Sequence, residues 1–254
     1  MTDVIINKSG QVLQIIMNRP DKKNALTQAM YQSMADAIDA AQQDNNIRVV
    51  VVRSQGECFT AGNDLHDFAA SGGPENNELQ NPFMQALVEC TLPVVAEVKG
   101  IAIGIGTTML LHCDLVICAE DAKFTMPFVD LGLVPEFASS FILPKLAGHR
   151  KASKWLLLGE SFGPKEAEEC GLVSDIVPLS KLTVRTNAVV QVLVNKPKRA
   201  LIESKKLMKS DQNEILLHMS KELDIFVRQL DSPAAKEAFN AFLQKRAPDR
   251  SIYQ

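Results

Sequence analysis

The chain lacks any excess of positive charge: 27 lysines and arginines stand against 30 aspartates and glutamates, a formal net charge of −3 over 254 residues. That balance points away from nucleic acid and from anionic membrane as partners. It also lacks paired cysteines. Cys58, Cys90, Cys113, Cys118 and Cys170 are odd in number and scattered, and His66, His112, His149 and His218 do not cluster, so neither a disulfide framework nor a metal site is expected. No apolar run approaches the length of a membrane span, and the opening MTDVIINKSGQVLQ lacks the basic-then-apolar plan of a signal peptide. The closing RSIYQ is no peroxisomal address. Also missing are a G-x-S-x-G elbow and a Gly-Lys-Ser/Thr phosphate loop, which sets aside serine hydrolysis and nucleotide hydrolysis. The expectation is a cytoplasmic protein that acts on a small molecule.

What is present is an alternation of short β-rich runs and helical patterns in a composition that is 46% hydrophobic and 22% charged, ordinary for a globular chain. VII and VLQIIMN flank a turn at Ser9-Gly10, and Thr27 opens TQAMYQSMADAIDAAQQD, with Met30, Met34, Ile38 and Ala41 at helical spacing. RVVVVRS reads as a buried strand. LPVVAEV, GIAI, DLVICAE and KFTM read as further strands around a short buried helix, IGTTMLLHC. From about Leu143 helical signals dominate, broken by a last strand at LVSDIVP and with Gly171 closing PKEAEEC. The segment from Ala69 to Pro82, rich in Gly, Pro and Asn, reads as a surface loop beside the site.

Two glycine-rich turns carry possible chemistry: FTAGNDL (Phe59 to Leu65) and KGIAIGIG (Lys99 to Gly106). In each, a strand is expected to enter glycines and then a helix, which leaves backbone N–H groups aimed outward to stabilise negative charge. Each could equally be a tight connection and nothing more. The third feature is Glu136 in LGLVPEFASS, the sole ionisable side chain from Leu131 to Pro144. Beside Pro135 it could be an ordinary helix start. Alternatively, burial among Val134 and Phe137 would raise its pKa and make it a working base.

Taken jointly, MNRPDKKNALT, CFTAGNDL, KGIAIGIG, CDLVICAEDAKFTMP, LGLVPE and EAEECGLVSDIVP resemble, in order and spacing, the crotonase (enoyl-CoA hydratase/isomerase) superfamily, from about residue 4 to residue 246. The resemblance implies an α/β fold of the ClpP/crotonase type: a core of repeated ββα units over residues 1–195, and a C-terminal helical region over 196–254 that drives assembly into a homotrimer or a dimer of trimers. It implies an acyl-CoA thioester as substrate, with CoA part of that substrate and no separate cofactor. It also implies an oxyanion hole made by the backbone N–H groups of Asn63 and Ile105. The CoA-binding positions carried over are Ala25, Leu26, Ala61, Asp64, Leu65, Phe242 and Lys245, with Arg19, Lys22 and Lys23 as candidates for its phosphates.

Family hydratases use two glutamates, and the matching positions here are Thr108 and Phe128. Glu136 matches instead the single glutamate of isomerases similar to the peroxisomal 3-enoyl-CoA to 2-enoyl-CoA type. The expected activity is therefore double-bond isomerisation in fatty acid β-oxidation chemistry. A 2-enoyl-CoA hydratase using Glu136 or Asp130, and a non-catalytic acyl-CoA-binding protein, are the alternatives.

Overall fold

The computed structural model describes residues 2–66 and 82–253. Val4–Ser9 (β1) and Val12–Met17 (β2) pair antiparallel across Gly10, whose φ of 57° is the left-handed conformation that this tight hairpin needs. Gln28–Gln43 (α1) starts where the Thr27 side chain accepts the Met30 N–H, and it buries Met30, Met34, Ile38 and Ala41 on one face. Val49–Ser54 (β3) follows, with four consecutive buried valines. Such a run suits a parallel strand covered on both faces, and β3 does pair parallel with β2.

Pro82–Glu89 (α2) leads to Val94–Val98 (β4), and Leu115–Ala119 (β6) and Asp175–Val177 (β8) complete a six-stranded sheet in the order β1-β2-β3-β4-β6-β8. Its alternating residues divide the core. Ile15, Met17, Val50, Val52, Val94 and Ala96 face α1 and α2, whereas Val12, Val49, Val51, Val95 and Ile117 are covered by Leu182 and Val190 of α7 (Leu182–Val194).

A second, smaller layer carries the site. Ile101–Ile103 (β5) pairs parallel with Lys123–Thr125 (β7), and single bridges at Leu26–Asn63, Thr60–Ala102 and Phe124–Phe162 prolong it on both sides. The strand expected ahead of Ala61-Gly62 is thus only a one-residue bridge at Thr60, because the chain turns at once to lie along Leu26. The short helix after β5 is Ile105–Thr108 (α3), continued as a 3-10 turn over Met109–His112.

The helices Ser139–Ala147 (α4), His149–Leu157 (α5), Pro164–Glu169 (α6), Lys198–Met208 (α8), Gln212–Leu230 (α9) and Pro233–Leu243 (α10) complete the chain. Phe226 of α9 and Ala235 and Phe239 of α10 join the same apolar cluster as the sheet residues. The buried Lys205 of α8 reaches the Leu92 carbonyl and the Asp114 carboxylate, each at 2.6 Å. Leu207, Met208, Leu217 and Phe242 remain exposed. Among the described residues no helix is long and apolar enough to cross a membrane. The loop expected from Ala69 to Pro82 lies outside the described residues, apart from Pro82 at the start of α2.

Candidate active site

The two glycine turns lie directly on each other. A Cβ at Gly62, where φ is 87°, would sit 2.7 Å from the Ile103 carbonyl oxygen, and a Cβ at Gly106 would sit 2.5 Å from the Thr60 Cγ2. Thr60 cannot give way easily. Its hydroxyl donates to the Asn24 carbonyl at 2.6 Å and accepts the Gly62 N–H at 3.0 Å. Asn24, fully buried, in turn donates to the carbonyls of Gln55 and Cys58. Glycine is therefore demanded here by close approach of two backbones as well as by the turn.

Hydrogen bonding then decides which way each turn points its amides. The Leu26 N–H donates to the Gly62 carbonyl and the Asp64 N–H to the Leu26 carbonyl, both at 2.8 Å. Asn63 lies between those two bonds, so its own N–H faces away from Leu26, with no acceptor among the described residues. In the second turn the Gly104 N–H donates to Thr125, and the Gly104 carbonyl accepts from Thr107 and Thr108. Ile105 is the first residue of α3, and its N–H has no intrahelical acceptor. The Asn63 side chain is held as well: the Tyr31 hydroxyl, on buried α1, donates to its Oδ1 at 2.5 Å.

Glu136 is tied to the second turn through Thr108, three residues after Ile105. The Thr108 hydroxyl at the end of α3 donates to its Oε1 at 2.5 Å, while Oε2 is buried with no partner among the described residues. The residue is 7% exposed, and burial pushes its carboxyl up to about 8 against the lowering effect of the Thr108 bond, with the nearby Glu222 adding to the rise. Thr108 stands at the position where family hydratases carry a glutamate, and here its hydroxyl serves Glu136.

Glu136 does not cap a helix. Helix α4 starts only at Ser139, after two non-glycine residues in the left-handed region, Phe137 (φ 59°) and Ala138 (φ 56°). The N–H groups of Ala138 and Ser140 at that helix start are taken by Glu222 of α9, whose Oε2 accepts from Ala138 at 2.6 Å and whose Oε1 accepts from Ser140 N–H at 3.0 Å and from the Ser140 hydroxyl. Burial raises the Glu222 carboxyl to about 7. His112 braces the same corner: its ring stacks on Phe137 at 4.1 Å and its Nε2 donates to the Phe137 carbonyl at 2.8 Å. Burial lowers that imidazole to about 3, so it is neutral.

The remaining expected residues divide into two groups. Ala25, Leu26, Ala61 and Asp64 are tied together: Ala61 N–H donates to Lys23, and the Arg19 guanidinium bridges the Ala25 carbonyl at 2.7 Å and the Asp64 carboxylate at 3.0 Å. Arg19, a phosphate candidate in the sequence, is thus committed to this internal bridge. Asp64 Oδ1 accepts the His66 N–H, capping the turn in which Leu65 begins. Phe242 is 62% exposed on α10, and the hydrogen bonds that join the first group involve neither it nor Lys245. Asp130 is turned aside, its Oδ2 lying in the space above Gly159 that a Cβ would need.

Three contributors were missed in the sequence. Tyr31 and Asn24 carry no sequence signal of their own. Glu222 does: it is a carboxylate on the apolar stripe of α9 formed by Ile215, Met219 and Phe226, where a charge needs a buried partner.

Fold and site together define an α/β enzyme of the crotonase fold. The model of the enoyl-CoA hydratase/isomerase family matches residues 7–251, and the chain belongs to that family. It is 30% identical over 252 residues to 2,3-dehydroadipyl-CoA hydratase of Escherichia coli K12, covering 98% of each chain. It is 32% identical over 225 residues to enoyl-CoA delta isomerase 2 of Rattus norvegicus, covering 86% of this chain and 57% of the rat protein. The crystal structure of an enoyl-CoA hydratase/isomerase from Pseudoalteromonas atlantica superposes with a TM-score of 0.91 at 36% identity, covering 98% of this chain and 99% of that one.

Proposed function

We propose that this enzyme moves the double bond of an acyl-CoA, converting a 3-enoyl thioester to its 2-enoyl isomer with Glu136 as the single acid/base. The observation that carries the reading is the carboxyl of Glu136: buried, held through Oε1 by Thr108, and with Oε2 without a partner among the described residues. The thioester oxygen is held by the N–H groups of Asn63 and Ile105. Oε2 takes a proton from C2, the charge spreads over the dienolate and onto that oxygen, and the same proton returns at C4. Nothing is gained or lost overall. A base with its carboxyl near 8 is far better matched to a weakly acidic C–H than an ordinary glutamate. Each backbone donor is worth roughly 3 to 4 kcal/mol at the developing charge.

Water addition asks for a second group. Glu222 spends both oxygens on α4, and Asp130 is an exposed residue with its Oδ2 beside Gly159. These placements favour isomerisation. Hydration is the second reading, kept because of the likeness to the E. coli hydratase over nearly the whole chain. The proposal includes CoA held along Ala25, Leu26, Ala61, Asp64 and Leu65 with Phe242 and Lys245 closing over it, no separate cofactor, and a cytoplasmic homotrimer or dimer of trimers. The exposed Leu207, Met208 and Phe242 support such an assembly.

The test offers 3-hexenoyl-CoA and 2-hexenoyl-CoA separately and follows the products by mass spectrometry. Conversion of the first to the conjugated isomer without change of mass is expected. A gain of one water on the second would overturn the isomerase assignment in favour of hydration. Tight binding of both without turnover would leave an acyl-CoA-binding protein.

A further inference from the structure

The carboxyl of Glu136 can face the site only because the chain behind it takes an unusual path. Phe137 and Ala138 are consecutive left-handed residues, neither of them glycine, at φ 59° and 56°. Such a pair is costly and persists only where its surroundings over-determine it. If residues 137 and 138 relaxed to right-handed values, α4 would extend backward through Glu136, and its carboxyl would become the helix-start group that the local sequence suggests.

What opposes this comes from a helix more than eighty residues away. Glu222 occupies the N–H groups of Ala138 and Ser140 and the Ser140 hydroxyl, and so terminates α4 from outside. We propose that Glu222 is a positioning residue for Glu136: by supplying the cap of α4 it holds the Phe137–Ala138 corner and keeps the Glu136 carboxyl turned into the site toward Thr108. The inference rests on the reading of Glu136 as the base.

Glu222 also acts through space, since two buried carboxyls close together resist joint ionisation. On α9, His218 stacks on Phe141, and Lys221, Asp224 and Arg228 are exposed. On α4, Lys145 lies over Phe141 and pairs with Asp211 and Glu214. Behind Phe137, His112 is neutral, and Lys209 donates to its carbonyl. On α2, Glu89 is exposed at the far end of the helix and accepts from Gln85. On α10, Lys236 pairs with Asp231, and Glu237 is engaged by Arg246.

The experiment compares Glu222→Gln and Glu222→Asp with the wild-type full chain. Glu222→Gln removes the charge. It is expected to lower kcat on 3-hexenoyl-CoA about tenfold or more with KM changed less than threefold, and to move the acid limb of kcat/KM to lower pH by about half a unit to one unit. Glu222→Asp keeps the charge but shortens the reach to Ala138, so kcat falls while the limb moves less. A loss of melting temperature with kcat and the pH profile unchanged would mark a merely structural cap and overturn the proposal. A second readout does not need turnover: the stability difference between Glu136→Gln and its parent grows with pH and stops growing where Glu136 ionises in the folded protein. In the Glu222→Gln background that levelling-off is expected at lower pH. If the wild type isomerises nothing, the base reading fails, while this shift still decides whether Glu222 governs Glu136; an unmoved levelling-off refutes it.

Discussion

Replacing Glu136 by glutamine should stabilise the folded protein, and more so as the pH rises. In the unfolded chain the carboxyl ionises near 4.5, and in the folded protein at about 8. Between those values the folded state keeps a proton that the unfolded chain has released, so the contribution of Glu136 is fully present below 4.5 and is lost as pH rises through 8. The slope in that window approaches 1.36 kcal/mol per pH unit, and the whole loss is roughly 4 to 5 kcal/mol. Glutamine has the same shape, accepts from Thr108 through its carbonyl oxygen, and never ionises. Urea denaturation of both proteins at one fixed protein concentration, from pH 5.5 to 8.5, should show their difference growing by about 3 kcal/mol in favour of the variant. Glu222 titrates in both proteins, so its effect largely cancels. Parallel stability curves would refute the claim that Glu136 is buried with an elevated pKa, and with it the physical basis for its role as base.

The same carboxyl must be ionised to accept a proton, so kcat/KM on the 3-enoyl substrate should rise toward alkaline pH with a midpoint near 8; a flat profile between pH 6 and 9 would contradict it. Thr108→Val removes the hydroxyl that lowers the Glu136 pKa, so the limb should move to higher pH in a pH–rate series, opposite to the shift expected for Glu222→Gln. Tyr31→Phe leaves Asn63 Oδ1 without its donor and should reduce kcat by about tenfold with a stability loss of about 1 to 3 kcal/mol, read by steady-state kinetics and denaturation. Gly62→Ala places a methyl 2.7 Å from the Ile103 oxygen at a φ of 87°. Its melting temperature should fall, with a loss of about 1 to 3 kcal/mol, and thioester turnover should fall with it as the two amides separate.

Local chemistry made most of the frame legible. The four valines of β3, the helical spacing of Met30, Met34 and Ile38 after Thr27, and the turn at Gly10 each depend on neighbours within a few residues, and each is found where the sequence places it. The two glycine turns were visible for the same reason, although the strand expected before the first shrank to one bridge at Thr60. Glu136 was legible as an oddity, a lone carboxylate in an apolar run. Its orientation was not, because Pro135-Glu136 reads locally as a helix start.

The sequence by itself therefore determined the elements, the family resemblance and which carboxylate is out of place. Only the tertiary structure decided what that carboxylate can do. Gly62 against Ile103 and Gly106 against Thr60 bring the two amide turns together across some forty residues of chain. Thr108 meets Glu136 over 28 intervening steps, and Glu222 reaches Ala138 over 84. Such contacts depend on how the helices settle on the sheet, and no periodicity records them. A buried carboxyl takes its pKa and direction from whatever surrounds it in three dimensions, so the fold had to be complete before the base could be recognised.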